Sequence, residues 1–436
     1  MPEPLDMFAD LDDSQPLPPT TPELRAAVRA RARQIHRKRV VAFAVPTSLV
    51  AAGGVALLVI VGLPANRASV APASPTPTAT LSTTEPTTSP SPSPTAVDVG
   101  LPYGKTGTRA QVPWDQVGTG WFLVTMIEKA KGELYLTDPQ GGRYAITSLP
   151  LAASGRYFTS SLADWSPNGR EALLLDGGPA GRTQITWIDL RTGSSHGQNV
   201  PYNLMDAQFS RPTGTRVLLD LGAYGTPGAQ LYRLAWQQAP ALVTAVAGGD
   251  GPPLYSLDGT YLILSATSGL SVIGNNGMLL RHLAVPGRCS PVKWWTASEV
   301  LASCSLGGDP DRLWLVPAAG GAATALTPTR PTTGPDLGDE DAWQLTSGLF
   351  THALGPCGSQ FLMRQQADGQ ATVVSVPGLG NNVLAESGQG SRIAVLGMQE
   401  CGGGSALVWL EPATMRTEPI ATGDIGSVLP WDATEQ

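Results

Sequence analysis

One pattern returns along residues 117–436 and limits the fold more than any other feature of this chain. Strand-like runs end on an aromatic residue or a Ser-Pro-Asn-Gly type of turn. They read Asp164-Trp165-Ser166-Pro167-Asn168-Gly169, Gln208-Phe209-Ser210-Arg211-Pro212-Thr213-Gly214, Leu254-Tyr255-Ser256-Leu257-Asp258-Gly259 and Lys293-Trp294-Trp295-Thr296. The series continues with Trp343-Gln344-Leu345-Thr346-Ser347-Gly348, Ala385-Glu386-Ser387-Gly388 and Leu429-Pro430-Trp431. The spacing is about 39–49 residues. A period of this size with strand content belongs to a β-propeller, whose blades are small antiparallel sheets set around an axis.

The second half of each unit repeats as well, in Leu134-Tyr135-Leu136, Ile185–Ile188, Leu231–Leu234, Leu313–Val316, Val373–Val376 and Leu407–Leu410. Gly- and Asn-rich turns follow, such as Asp138-Pro139-Gln140-Gly141 and Asn275-Asn276-Gly277, and these close hairpins. The aromatic column Tyr135, Trp187, Tyr232, Trp314 and Trp409 is expected to fill the seams between blades. Residues 117–147 supply later strands without a start, and Val428–Trp431 supply a start without a continuation. Joining the two closes the ring and removes a free sheet edge. The expected fold is therefore all-β, a seven-bladed propeller, with six to eight blades compatible with the count.

The units Trp165–Leu174 and Leu134–Gly142, with the lead-in Val112–Trp121, resemble the TolB-like, WD40-related propellers of the actinobacterial cell envelope. The resemblance covers roughly 110–436 and implies a fold and a binding role, not an activity. The fourth and sixth units depart most from the pattern, and no role in colicin uptake carries over.

Ahead of the repeats, residues 40–65 (VVAFAVPTSLVAAGGVALLVIVGLPA) carry no charge and are long enough for a helix to cross a bilayer. Arg25, Arg29, Arg31, Arg33, Arg37, Lys38 and Arg39 precede this run, and only Arg67 follows closely. The positive-inside rule then keeps residues 1–39 in the cytoplasm and exports 100–436, giving a single-pass plasma-membrane protein. Residues 1–20 form an acidic, proline-rich tail, and Thr21-Pro22-Glu23 opens a basic juxtamembrane helix. A cleaved signal peptide competes with the anchor reading, although prolines spoil candidate sites such as Ala71-Pro72-Ala73. Residues 66–99 are a disordered Pro/Ser/Thr stalk of extended character.

Charge excludes one class of partner. The net charge of −7 falls wholly on residues 100–436, so the exported domain is mildly acidic and unsuited to nucleic acid. Gly193-Ser194-Ser195-His196-Gly197 has the letters of a nucleophile elbow but no helix to follow it, and reads as a turn. Gly100–Thr106 falls one residue short of a P-loop and reads as linker. Asp336, Asp339, Glu340 and Asp341 lack EF-hand spacing and read as a solvated loop; His36, His196, His282 and His352 show no zinc spacing. No catalytic, cofactor or metal residue is assigned.

All four cysteines lie beyond the apolar run, where disulfides form, and the repeat register pairs Cys289 with Cys304 and Cys357 with Cys401. The expected function is a non-catalytic binding or scaffold module for an envelope protein, peptide or glycan. An extracytoplasmic hydrolase or lyase using the propeller mouth is the alternative, as is a sensor signalling through residues 1–39.

Overall fold

The computed structural model describes residues 101–431, apart from 156–157, 178–182, 201–203, 222–228, 247–250, 268, 307–310, 329–337, 356–358, 367–368 and 400–403. The basic cluster Arg25–Arg39, the apolar run 40–65, the stalk 66–99, Asp336, Cys357 and Cys401 therefore lie outside the described residues. Among the described residues no helix is long and apolar enough to cross a membrane.

The chain builds four-stranded antiparallel sheets in sequence order, with the first strand of each at the axis and the last at the rim. Blade 2 runs from Ser160–Trp165 to Ser195–Val200, blade 3 from Leu204–Phe209 to Ala241–Val246, and blade 4 from Leu254–Tyr255 to Leu279–Leu283. Blade 5 runs from Arg288–Trp294 to Thr324–Ala325, and blade 6 from Gly338–Leu345 to Ala371–Val373. The remaining eight strands form one continuous sheet because the last strand, Arg416–Pro430, serves two blades. Its first half pairs with Ser405–Glu411 as the outer strand of blade 7. Its second half pairs with Phe122–Glu128, Phe122 opposite Pro430 and Val124 opposite Val428, as the inner strand of blade 1. The result is a seven-bladed propeller closed by the chain's own C-terminal strand, as the split unit in the sequence requires.

The sequence reading differs from the structure in two places. In blade 6 the third strand is Gln360–Gln365, and Val373 ends the short outer strand instead. Thr106–Thr108, read as linker, adds a fifth strand parallel to Arg143–Leu149, so the entering chain covers the outer edge of blade 1.

The core is divided among the seams, and seven buried clusters correspond to the seven blade junctions. Tyr135 and Trp409 fill the junction of blades 7 and 1, and Trp187 with Tyr232 that of blades 2 and 3. The aromatics ending the first strands (Trp165, Phe209, Tyr255, Trp294 and Trp343) are all buried.

On one face the turns overlap like tiles. Ser166 and Ser256 make the same contacts: each hydroxyl donates to the residue two ahead and accepts the N–H five ahead. Each turn closes on a glycine at positive φ, Gly169 and Gly259 among them. A Cβ on Gly169 would strike the Trp431 ring, and one on Gly259 the Arg211 carbonyl. Glycine is therefore demanded twice, by φ and by the neighbouring blade.

Cys289 and Cys304 stand directly opposite in the first hairpin of blade 5 and are disulfide-bonded. A loop this short removes roughly 3 kcal/mol of unfolded-chain entropy. The other pairing, Cys357 with Cys401, falls outside the described residues.

Candidate functional site

A cavity of about 300 Å³ sits on the ring axis and is walled by the first strands of all seven blades. It lies toward the ends that lead into the overlapping turns, since Arg211 of one such turn reaches its wall. Prolines and aliphatic groups (Leu162, Pro252, Pro253, Val292, Leu384 and Leu429) alternate there with the carboxylates Asp164, Asp206, Glu340, Asp341 and Glu386.

A recurrent bulge places these groups. Six of the seven first strands skip one residue in their pairing with the second strand. A bulge leaves its extra residue out of the ladder and re-aims its side chain. In blades 2, 5, 6 and 7 the skipped residues are Ala163, Val292, Glu340 and Glu386, and all four line the cavity. Blades 6 and 7 thus bring two glutamates to the axis by one backbone device.

This corrects the reading of Asp339, Glu340 and Asp341 as a solvated loop. They belong to the strand Gly338–Leu345, with Asp339 and Glu340 buried. Their density in the sequence suggested solvent because the bulge that turns them toward the axis leaves no mark in local composition. Asp339 accepts a hydrogen bond from Thr351 at 3.1 Å, and its carbonyl accepts one from Ser303 of blade 5.

Two of the carboxylates are matched by cations across blade junctions. Asp164 takes both Arg211 nitrogens, at 3.1 and 3.2 Å, and also accepts the Phe209 and Trp165 N–H groups. Asp341 receives the buried Lys293 ammonium at 2.9 Å, and that ammonium lies 4.3 Å from the centre of the Trp343 ring. These pairs tie blade 2 to 3 and blade 5 to 6. The second junction holds only three fully buried apolar side chains among the described residues. Asp206, Glu340 and Glu386 add three further acids to the wall. Burial, with the Asp341 carboxylate close by, pushes the Glu386 carboxyl up to about 8.

That shift has a definite sign in solution. Glu386 holds its proton more tightly folded than unfolded, so its contribution to stability falls as pH rises from about 4.5 through about 8. His352, in the second strand of blade 6, is pushed down to about 3 by burial, so its contribution is lost as pH falls below about 6.5. Glu386→Gln is therefore expected to gain melting temperature relative to the parent between pH 5 and pH 9. Thermal melts at both pH values check this, and a constant difference contradicts it.

The other sequence candidates lie elsewhere. Gly193 sits at positive φ in a turn, and Ser195 with exposed His196 begins the outer strand of blade 2, with His196 against the Trp236 ring. The turn reading therefore holds for Gly193 and Ser194, while Ser195, His196 and Gly197 belong to the strand. The His282 ring lies 3.1 Å from the Ser271 hydroxyl. Among the described residues no group of three His, Cys, Asp or Glu side chains is arranged to hold a metal ion.

No protein-family model matches the sequence, and comparison with curated proteins gives no match. Solved structures are similar in fold at low identity. A prolyl endopeptidase aligns with 73% of this chain at 16% identity and a TM-score of 0.49, and this chain spans half of its length. TolB from Acinetobacter baumannii aligns with 77% of the chain, and 88% of its own, at 11% identity and a TM-score of 0.38. The β-propeller domain of the Trilobed protease from Pyrococcus furiosus aligns with 69% and 94% at 9% identity and a TM-score of 0.46. The protein is a β-propeller protein by its own sheet topology.

Proposed function

We propose that this chain is a non-catalytic binding module, held at the outer face of the plasma membrane by residues 40–65. The propeller takes a basic group of an envelope protein or peptide into its axial cavity. The observation that carries the reading is the composition of that cavity: five acidic side chains line about 300 Å³, and Arg211 and Lys293 match only Asp164 and Asp341 among them by ion pairs. Such a volume suits one side chain or amine rather than a whole folded partner. Its field favours a cation over an anion or a neutral sugar. The groups that chemistry would recruit are instead engaged in structure, since Asp164 is held by Arg211 and Asp341 by Lys293. A fold of this kind licenses neither binding nor catalysis by itself, so the reading rests on the cavity. Titration of a lysine-rich peptide into the protein and into Glu340→Gln/Glu386→Gln tests it.

The location is tested separately. A reporter active only outside the cytoplasm, fused after Gln436, is expected to be active because seven cations precede the apolar run. An inactive fusion, with a cytoplasmic reporter working at the same point, overturns that part of the reading.

A further inference from the structure

The lining of the axial cavity is ordered by the sequence of the blades. Asp164 and Asp206 come from the first strands of blades 2 and 3, with Arg211 paired to Asp164. Glu340 and Asp341 come from blade 6 and Glu386 from blade 7, with Lys293 paired to Asp341. In a ring of seven blades the junction of 2 and 3 lies three blades from the junction of 6 and 7 one way round, and four the other. The two acidic groups therefore face each other nearly across the axis.

The walls between them carry no charge. Blade 1 contributes Val428, Leu429 and Pro430 on one side, and blades 4 and 5 contribute Pro252, Pro253 and Val292 on the other. Going round the axis, the lining reads acid, apolar, acid, apolar. On each acidic side the carboxylates outnumber the cation paired with one of them, by Asp206 at blade 3 and by Glu340 and Glu386 at blades 6 and 7. Glu340 is only 6% exposed, so little water screens it.

A single divalent metal ion needs its acids gathered at one point, and among the described residues no three His, Cys, Asp or Glu side chains are gathered so. A lone ammonium would meet only one of the two acidic sides. Two separate positive ends fit both, and the apolar walls suit the methylene groups that join them. About 300 Å³ leaves room for a chain of a few carbons with an ammonium at each end.

We propose that the axial cavity takes a dication, two ammonium groups joined by a short methylene chain, with one end at Asp164 and Asp206 and the other at Glu340 and Glu386. The inference rests on the cation reading of the cavity given above and names the kind of cation. Two sources share this chemistry: a free alkanediamine, and a peptide whose first residue is lysine, which carries an α- and an ε-ammonium.

The test is calorimetric titration of the full-length protein in a mild non-ionic detergent, at low salt and pH 7, where these amines are predominantly charged. One pair of probes is 1,5-diaminopentane and pentylamine; the other is Lys-Gly-Gly with its amino end free and acetylated. The doubly charged member is expected to bind at least tenfold tighter in one pair or both, and the pair that shows the gap identifies the source. Asp206→Asn and Glu340→Gln are each expected to cut that ratio below about threefold, because each removes a carboxylate from one end. Retention of the Cys289–Cys304 disulfide and an unchanged melting temperature verify that a variant keeps its fold, and the comparison on the parent needs no variant. Equal affinities within both pairs overturn the proposal, as does a ratio left unchanged by either folded variant. If a lysine-rich peptide still binds, and binds less well to Glu340→Gln/Glu386→Gln at pH 9, such a failure leaves the cation reading standing. Binding of no amine and no lysine-rich peptide removes both.

Discussion

Removing residues from Val428 onward is expected to lower the melting temperature of the propeller by about 10 °C and to make it self-associate. The deletion takes away Val428, Leu429 and Pro430, which pair with Val124, Leu123 and Phe122 of the second strand of blade 1. Those three partners are fully buried, so their edge and side chains would meet water. It also removes Trp431, whose ring packs edge-on against Trp165 at 4.8 Å and whose N–H donates to the Trp121 carbonyl. Burial of an apolar side chain stabilises by about 1.5–3 kcal/mol, so losing two or three, some only partly buried, costs about 4–6 kcal/mol. That is a large share of a typical domain's stability. At about 2 °C per kcal/mol for a domain of this size, the shift follows. The newly open edge is the template for association. Equal melting temperatures would show that the tail lies outside the ring.

Arg211→Ala is expected to be the most damaging single change in the cavity wall. Its guanidinium and the Asp164 carboxylate are 7% and 12% exposed, and the contact is bidentate. Breaking a buried pair from one side strands the other charge, at a cost of about 3–5 kcal/mol. Asp164→Asn in the same molecule should return part of that loss, because the amide carbonyl still accepts the Phe209 N–H that Asp164 accepts at 2.6 Å. Denaturant melts of the single and double variants decide it. A double variant no more stable than Arg211→Ala would mean that the charge is not what binds blades 2 and 3 here.

Much of the ring was legible in the sequence for a physical reason. Each blade must turn at its inner hairpin, and that turn needs a small hydroxyl residue and a glycine at positive φ, so Ser166…Gly169 and Ser256…Gly259 recur at blade spacing. The split first blade was legible too, because a ring with an unmatched start and an unmatched finish has one economical closure. Cys289 and Cys304 followed from the same register. The axial carboxylates were not legible. Glu340 and Glu386 reach the cavity through bulges, and a bulge is a two-against-one mismatch between strands that a single strand's letters do not record. The run Asp339–Asp341 looked like solvent-exposed chain because acids at that density usually are, yet seven converging strands make the axis a place where buried carboxylates are held together. The strap Thr106–Thr108 was missed because three residues without alternation carry no strand signal.

The central claim is that the axial cavity receives a cation, and its direct test is titration of a lysine-rich peptide into the full-length protein at low salt. At about 4 Å, with the effective dielectric typical of such sites, each carboxylate attracts an ammonium by up to about 4 kcal/mol before desolvation is charged against it. A net effect near 1.4 kcal/mol for each glutamate already means tenfold in affinity. Glu340→Gln/Glu386→Gln keeps the size of both side chains at the bulges and removes only charge. Binding at pH 9, where Glu386 is ionised, is expected to weaken at least tenfold in this variant, and in the parent to weaken as pH falls below the region of 8 where Glu386 takes up its proton. Equal affinity of parent and variant for the peptide at pH 9, with no change in the parent's affinity between pH 6 and pH 9, would contradict the account.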